Sequence, residues 1–157
     1  RSLIPGSGTV GKTVVQGIIE RGGVARVKVV PNQKQKTLQS IIRENVEPGA
    51  TVYTDSLRSY IGLSDDYIHG IIDHAISYVD GRVHTNCMEN FWSLLKRTIG
   101  GTYVAVSPAH LDAYLDEQTM RFNARKTDDS DRFVQVMSGT PGRRIMYKDL
   151  IGAKYDE

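Results

Sequence analysis

Sulfur cross-links are the first thing this sequence does without. Cys87 is its single cysteine, so no internal disulfide can form and no oxidising compartment is implied. Long apolar runs are missing too: none approaches the ~20 residues that span a bilayer, and no signal peptide opens the chain. These absences lead to the expectation of a cytoplasmic chain with no membrane partner. An excess of one charge is also lacking. Twenty basic residues against 18 acidic ones leave a net charge of +2 and a pI near 8.7, which permits a nucleic-acid partner without requiring one. There is no internal repeat and no sign of a second domain. The first residue is Arg1 rather than methionine, as in a processed start or a fragment.

What is present reads as an ordinary globular chain. Its 157 residues suffice for one domain with a real core, and 39% hydrophobic against 24% charged residues exclude a wholly disordered polymer. Basic residues gather at 28–36, 96–97, 121–126 and 143–148, and each cluster taken alone reads as solvated surface.

Residues 6–13, G-S-G-T-V-G-K-T, match the letters of a phosphate-binding loop. Their surroundings suit one poorly. Only Leu3 and Ile4 precede the loop before Pro5, and the β-branched run after it, broken by Gly17, reads as a strand rather than the required helix. ATP or GTP binding is the lesser alternative to a flexible glycine-rich lead-in. Gly22 and Gly23 mark a turn between two β-rich runs, 14–19 and 24–30, which predicts a hairpin ended by Pro31 and Asn32. Over 36–46, Leu38, Ile41, Ile42 and Val46 recur at helical spacing, with Thr37 or a near neighbour as cap and Glu47, Pro48 and Gly49 as the stop.

A short, buried strand is expected to begin over 50–53 and to terminate in Thr54, Asp55 and Ser56. Asp55 is then an acid at the C-terminal end of a strand, where α/β sheets place their chemistry, or equally the N-cap of a helix over 56–60. Between Tyr67 and Tyr78 one or two short strands are expected, with His69 and His74 read as satisfied core or surface histidines. Asp80 and Gly81 form a turn. His84 and Cys87 have a ligand-like gap, but no second pair completes a tetrahedral zinc site.

The residues 83–97, V-H-T-N-C-M-E-N-F-W-S-L-L-K-R, hold the only tryptophan and the only cysteine. A helix starting at Asn86 gathers Met88, Phe91, Trp92, Leu95 and Ile99 on one face. Glu89, Ser93 and Lys96 fall on the adjacent strip. Glu89 also stands where a capping-box glutamate reaches back to the helix start. Gly100 and Gly101 are expected to end this helix cleanly. Ser107 and Pro108 cap and open the next, whose inner face is Leu111, Tyr114, Leu115, Gln118 and Phe122 and whose outer face is Asp112, Asp116 and Glu117. A polar loop over 126–131, a short helix over 131–138 and a basic, loosely structured tail from Gly139 complete the chain.

Asp55 and Glu89, one at a strand end and one on a firmly packed helix, form a pair able to hold divalent metal between them for phosphodiester chemistry. Oxygen ligands suit Mg²⁺ or Mn²⁺ better than zinc.

His84, Thr85 and Asn86, then Glu89, Phe91, Trp92 and Ser93, then Leu95, Lys96 and Arg97 resemble the signature of bacterial insertion-sequence transposases of the DDE type. The resemblance is closest to the group whose full-length members carry an N-terminal zinc ribbon. It continues through Gly11, Lys12 and Thr13; Val29, Val30 and Pro31; the turn at 46–50; and Tyr53, Thr54 and Asp55. Downstream it takes in Gly101, Thr102 and Tyr103, Val106 to Pro108, Arg121 to Asn123, and Tyr147 to Leu150. Gly11, Lys12 and Thr13 then resemble the family's lead into a strand of its catalytic sheet, which removes the phosphate-loop reading.

The resemblance implies an α/β fold of ribonuclease-H-like type, a mixed sheet flanked by helices and here lacking its first strand. Residues 1–126 would be a truncated catalytic domain and 127–157 a short helix and basic tail. It implies metal-dependent DNA cleavage and strand transfer at an insertion sequence's terminal inverted repeats, with target DNA as second substrate. A homo-oligomer on paired ends, in a bacterial and nucleoid-associated setting, goes with it. Asp55 matches the second catalytic acid and Glu89 the third, both as ligands of Mg²⁺ or Mn²⁺. Lys96 matches a lysine seven positions after that acid that touches DNA near the cut; Arg97 beside it is expected to bind DNA, and His84 and Asn86 to support the site. The first acid has no match, because in the family it lies on an earlier strand, in a segment that would precede Arg1. The chain by itself is expected to bind metal poorly and to cleave nothing, the alternative being an inactive remnant that still binds DNA. The resemblance assigns no role to His69, His74 or Cys87.

Overall fold

The computed structural model describes residues 12–72 and 86–147, and all that follows concerns those residues. Alternation organises the first strand, β1 (Val14–Ile19). Val15 and Ile19 pack into one apolar cluster, with Phe91, Leu95, Leu115 and Phe122, while Ile18 packs into another, with Ile42, Leu63 and Tyr67. Successive side chains of a strand point to opposite faces, so β1 lies between two layers of helix. It pairs antiparallel with β2 (Ala25–Val30), Val14 opposite Val30 through Ile19 opposite Ala25, one residue short of the expected second run. Gly17, which looks like a flaw in the strand, is where the layer above comes closest. A Cβ there would lie 2.9 Å from the terminal methyl of Met88 and 3.0 Å from the ring of Trp92.

Beneath the hairpin lies α1 (Gln35–Asn45), one residue upstream of the expected span. Leu38 and Ile42 bury its apolar stripe, and Gln16 of β1 donates its amide to the Leu38 carbonyl at 3.0 Å. Thr37 does not cap this helix. The cap position is Lys34, and the Asn32 carboxamide oxygen accepts both the Lys34 N–H at 2.9 Å and the Thr37 hydroxyl at 2.8 Å. Asparagine two residues ahead organises the entry as a local turn, which leaves threonine nothing to cap.

The second strand pair is parallel. β3 (Thr51–Asp55) runs beside β4 (Ile68–Ile72), with Thr51 opposite Ile68 and Asp55 opposite Ile72. The helix expected over 56–60 is a single 3₁₀ turn at Arg58–Tyr60, because Leu57 is extended at φ −63°, ψ 126° and its N–H is taken by Asp55. The connection is tied to α1 by polar side chains: Gln39 donates to the carbonyls of Ser59 and Ile61, and Gln35 to that of Ile61. The described strands thus form two separate two-stranded sheets, β1–β2 and β3–β4, in a mixed α/β arrangement. The other strand expected before Tyr78, with His74 and the turn at Asp80, lies outside the described residues.

Above the hairpin runs α2 (Asn86–Thr98), already helical at the first residue described after residue 72. Phe91 is fully buried, with Trp92 and Phe122 edge-on at 5.2 and 5.4 Å between ring centroids. Burying such a ring contributes about 1.5–3 kcal/mol. The helix does not stop at Gly100 and Gly101. It continues as a π-helical turn over Ile99–Tyr103, and the positive φ, 63°, falls on Val104 instead. Long-range contacts explain the difference: Thr98 bonds Gln118, the Tyr103 hydroxyl donates to Glu117, and the Tyr103 ring meets Tyr114 at 4.6 Å. These hold the chain against α3 (Leu111–Asn123) for one more turn.

Ser107 and Pro108 open a 3₁₀ turn ahead of α3, as their types predict, with the Ser107 hydroxyl accepting the Ala109 N–H. The side chain of Asn123, at the far end of α3, clasps Ala25, accepting its N–H at 2.7 Å and donating to its carbonyl at 2.9 Å. Asp112 accepts the Val29 N–H, so this "outer" residue serves the sheet. α4 (Asp129–Ser138) starts two residues before the expected span because Asp128 caps it, accepting the Asp131 N–H at 2.8 Å. Among the described residues no helix is long and apolar enough to cross a membrane.

Candidate functional site

Between β1 and β3 the molecule has a cleft of about 740 Å³. Consecutive residues of both strands line it, Leu38 and Ile42 of α1 close one side, and Met88 and Trp92 of α2 close the other. Asp55 and Glu89 both stand in its walls. Strand alternation accounts for Asp55. Val52 packs with Ile42 and Tyr67 on the α1 side, and Thr54 is buried, so Thr51, Tyr53 and Asp55 take the opposite face, that of α2. Helical spacing accounts for Glu89. With Phe91 and Leu95 buried, it falls on an exposed strip with Ser93 and Lys96.

One oxygen of the exposed Asp55 carboxylate accepts the Leu57 N–H at 3.2 Å, so the turn-capping role and the cleft-facing one coexist. Under Asp55, the Thr54 hydroxyl donates to the Asp55 carbonyl at 2.9 Å and lies 2.8 Å from Nε2 of His69. A hydroxyl has one proton, so with that proton on the carbonyl the imidazole Nε2–H is the donor. Burial holds the His69 pKa below its ordinary value, favouring the neutral ring. His69 is therefore a satisfied histidine that braces the end of β3. Tyr60 also lines the cleft, its hydroxyl pushed up to about 12 by burial and then by the negative charge of Asp55.

The other expected residues are more dispersed. Asn86 is exposed at the start of α2, and the half-buried Cys87 lines the cleft. Lys96 and Arg97 are exposed in the last turn of α2, where cations also complement the helix dipole. Lys96 lies on the strip of Glu89, about 10 Å further along the axis. His84 lies outside the described residues. Among the described residues no three His, Cys, Asp or Glu side chains cluster closely enough to hold a metal. The basic cluster at 121–126 is largely structural: Arg121 pairs with Glu117, Arg125 stacks on Phe122 and bonds the Gly23 carbonyl, and Lys126 bonds that of Gly22.

Sequence reasoning missed Tyr60 and Thr54 at the cleft. Nothing in their local pattern marks them, and only the adjacency of Thr54 to Asp55 could have drawn attention to it.

Comparison with known proteins agrees with the resemblance. Residues 2–123 match the model of the ISXO2-like transposase domain. An uncharacterized transposase-like protein of Haemophilus influenzae is 38% identical over 96 residues, which cover 60% of this chain and 77% of that protein. No solved structure matches the chain. With most of its length matched by that one model, and its cleft walled by two residues of the resembling motif, the chain belongs to the ISXO2-like transposase domain family.

Proposed function

We propose that this chain is the part of a DDE-type transposase catalytic domain, of ribonuclease-H-like fold, that carries the second and third acids. The observation that supports this most is the placement of Asp55 and Glu89 in two walls of one cleft, on the same side of the strands, in a chain of transposase family. Two carboxylates suit a hard divalent cation by ligand type, so Asp55 and Glu89 would hold Mg²⁺ or Mn²⁺ together with a further donor from beyond the described residues. When bound, such an ion supplies charge stabilisation to phosphodiester displacement. The chain's own residues prepare the site. Thr54 and His69 fix the strand end below Asp55, the Leu57 N–H orients one carboxylate oxygen, and Lys96 and Arg97 attract the phosphates of DNA at the insertion-sequence ends.

The test is Mg²⁺-dependent nicking of duplex DNA bearing the element's ends by the product of the whole reading frame. Metal assistance is worth several kcal/mol and each ~1.4 kcal/mol is a factor of ten, so Asp55→Asn or Glu89→Gln lowers nicking at least about 100-fold. Nicking that survives either change overturns the assignment.

A second reading, DNA binding without cleavage, is supported by the exposed Lys96 and Arg97 in the last turn of α2. It expects affinity that falls steeply with salt, and a salt slope reduced by about 1 on Lys96→Ala. Salt-insensitive binding contradicts it.

A further inference from the structure

We propose that α4 (Asp129–Ser138) is a docking surface for a second copy of this chain, the two helices pairing antiparallel about a two-fold axis. The contact uses neither the acids of the cleft nor DNA, so it stands apart from the function proposed above.

Nothing in either apolar cluster comes from α4, and none of its residues is buried. The Arg132 guanidinium ties it to the body through the carbonyls of Ala124 at 3.1 Å and Thr127 at 2.8 Å, and Asp128 caps its start. Its ten residues fall short of the ~12–15 below which an isolated helix is marginal in water. Helices in proteins owe most of their stability to the packing of an apolar face.

α4 has such a face, and it is bare. Phe133, Val136 and Met137 stand at i, i+3 and i+4 on one stripe, with Val134 on its flank. They are 65%, 49%, 48% and 64% exposed in that order. With about 150–250 Å² to each large side chain, α4 leaves roughly 400 Å² of apolar surface per copy, and Ile145 and Tyr147 after it leave roughly 300 Å² more. Two copies together offer about 1,400 Å², inside the about 1,200–2,000 Å² that specific interfaces bury.

Charge names the occupant. Residues 127–131 carry Asp128, Asp129 and Asp131 and no base, whereas 133–147 carry Arg143 and Arg144 and no acid. The stripe thus lies between an acidic end and a basic one. Among the described residues Asp131, Arg143 and Arg144 have no ion-pair partner. Two such stripes laid antiparallel set each acidic end against the other's basic end, and both contacts come from one surface, as isologous pairing requires. Laid parallel they set aspartate against aspartate, which like-charge repulsion disfavours. The three aspartates also repel DNA phosphates and anionic lipid, the other partners a basic segment would suit.

The test is sedimentation of the whole 157-residue chain over a concentration series without DNA, together with amide exchange. A monomer–dimer equilibrium is expected, with exchange over 129–138 slowing as concentration rises. Phe133→Ala raises the dimer Kd at least about 30-fold, as loss of an aromatic anchor at the centre of an interface does. Asp131→Arg and the combined Arg143→Asp, Arg144→Asp each weaken the dimer at least about tenfold. An equimolar mixture of those two variants restores it, since each supplies the charge the other has lost. All these side chains are exposed, so they can be changed without unfolding the monomer. A chain that stays monomeric into the millimolar range overturns the proposal, as does a dimer indifferent to Phe133→Ala. Failure of the mixture to restore association overturns the antiparallel pairing. Association that forms only with DNA overturns the proposal too. Slow exchange over 129–138 that is independent of concentration means a cover from the same chain, residues 73–85 or 148–157, and likewise overturns it.

Discussion

Around Phe91 the interior is apolar and aromatic, built from Ala25, Leu95, Leu115 and Phe122, with Trp92 and Phe122 edge-on to the Phe91 ring. Around Tyr67 it is smaller, Ile42 and Leu63 being its other buried members, and it is laced with polar groups. Gln39 reaches two carbonyls, Arg43 reaches Asp66, and the Tyr67 hydroxyl donates to the Val46 carbonyl. Glu89 rides on the first region and Asp55 on the second. The elements that carry the two are thus held by two kinds of force: apolar packing seats the helix of Glu89, and directional bonds to backbone secure the strand end of Asp55. Heat and denaturant act most strongly on apolar burial, whereas loss of a single polar partner acts locally.

The largest effect should come from the apolar region. Phe91→Ala is expected to cost about 3–5 kcal/mol in chemical denaturation, since a fully buried ring leaves a cavity against two others. Gln39→Ala, in the polar region, should cost about 1–3 kcal/mol by orphaning the carbonyl of Ser59 and removing one of the two donors to that of Ile61. If the two losses come out equal, the contrast between the regions fails.

Tyr60 offers a pH test of the Asp55 side. Its folded-state pKa of about 12 exceeds the ordinary 10.0, so the folded chain holds the proton more tightly. The corresponding stability is fully present below pH ~10 and is lost as pH rises through about 12. Tyr60→Phe should flatten that alkaline slope in urea melts. Asp55→Asn should lower the tyrosinate transition seen by ultraviolet titration while leaving it above 10, because burial is the larger cause. The smallest effect belongs to Arg43→Ala. Its ion pair with Asp66 is 47% and 40% exposed, which limits the loss to under about 1 kcal/mol.

The sequence discloses what is local. β1 is legible to the residue because a β-branched run ends in a Gly-Gly turn, and α2 packs with the face its helical spacing predicts. The π-helical turn is not legible: two glycines signal a stop, and Tyr103 overrides it through Glu117 and Tyr114, partners on another helix. The Asn123 clasp on Ala25 joins residues 98 apart and leaves no trace in either neighbourhood. For the site, spacing and alternation suffice to put Glu89 and Asp55 on recognisable surfaces. That both border one cleft depends on the separation of β1 from β3, which no local pattern encodes.

Gly17 carries a consequence for how this family's chains can vary. Met88 and Trp92 rest where its side chain would be, so the side chains of α2 seat directly on the backbone of β1 there. Exchange for alanine keeps charge and every residue of the signature helix, yet makes the Met88 side chain and the Trp92 ring give way where they rest on the strand. A sequence can therefore keep every residue of the signature helix and still change how that helix seats on the hairpin.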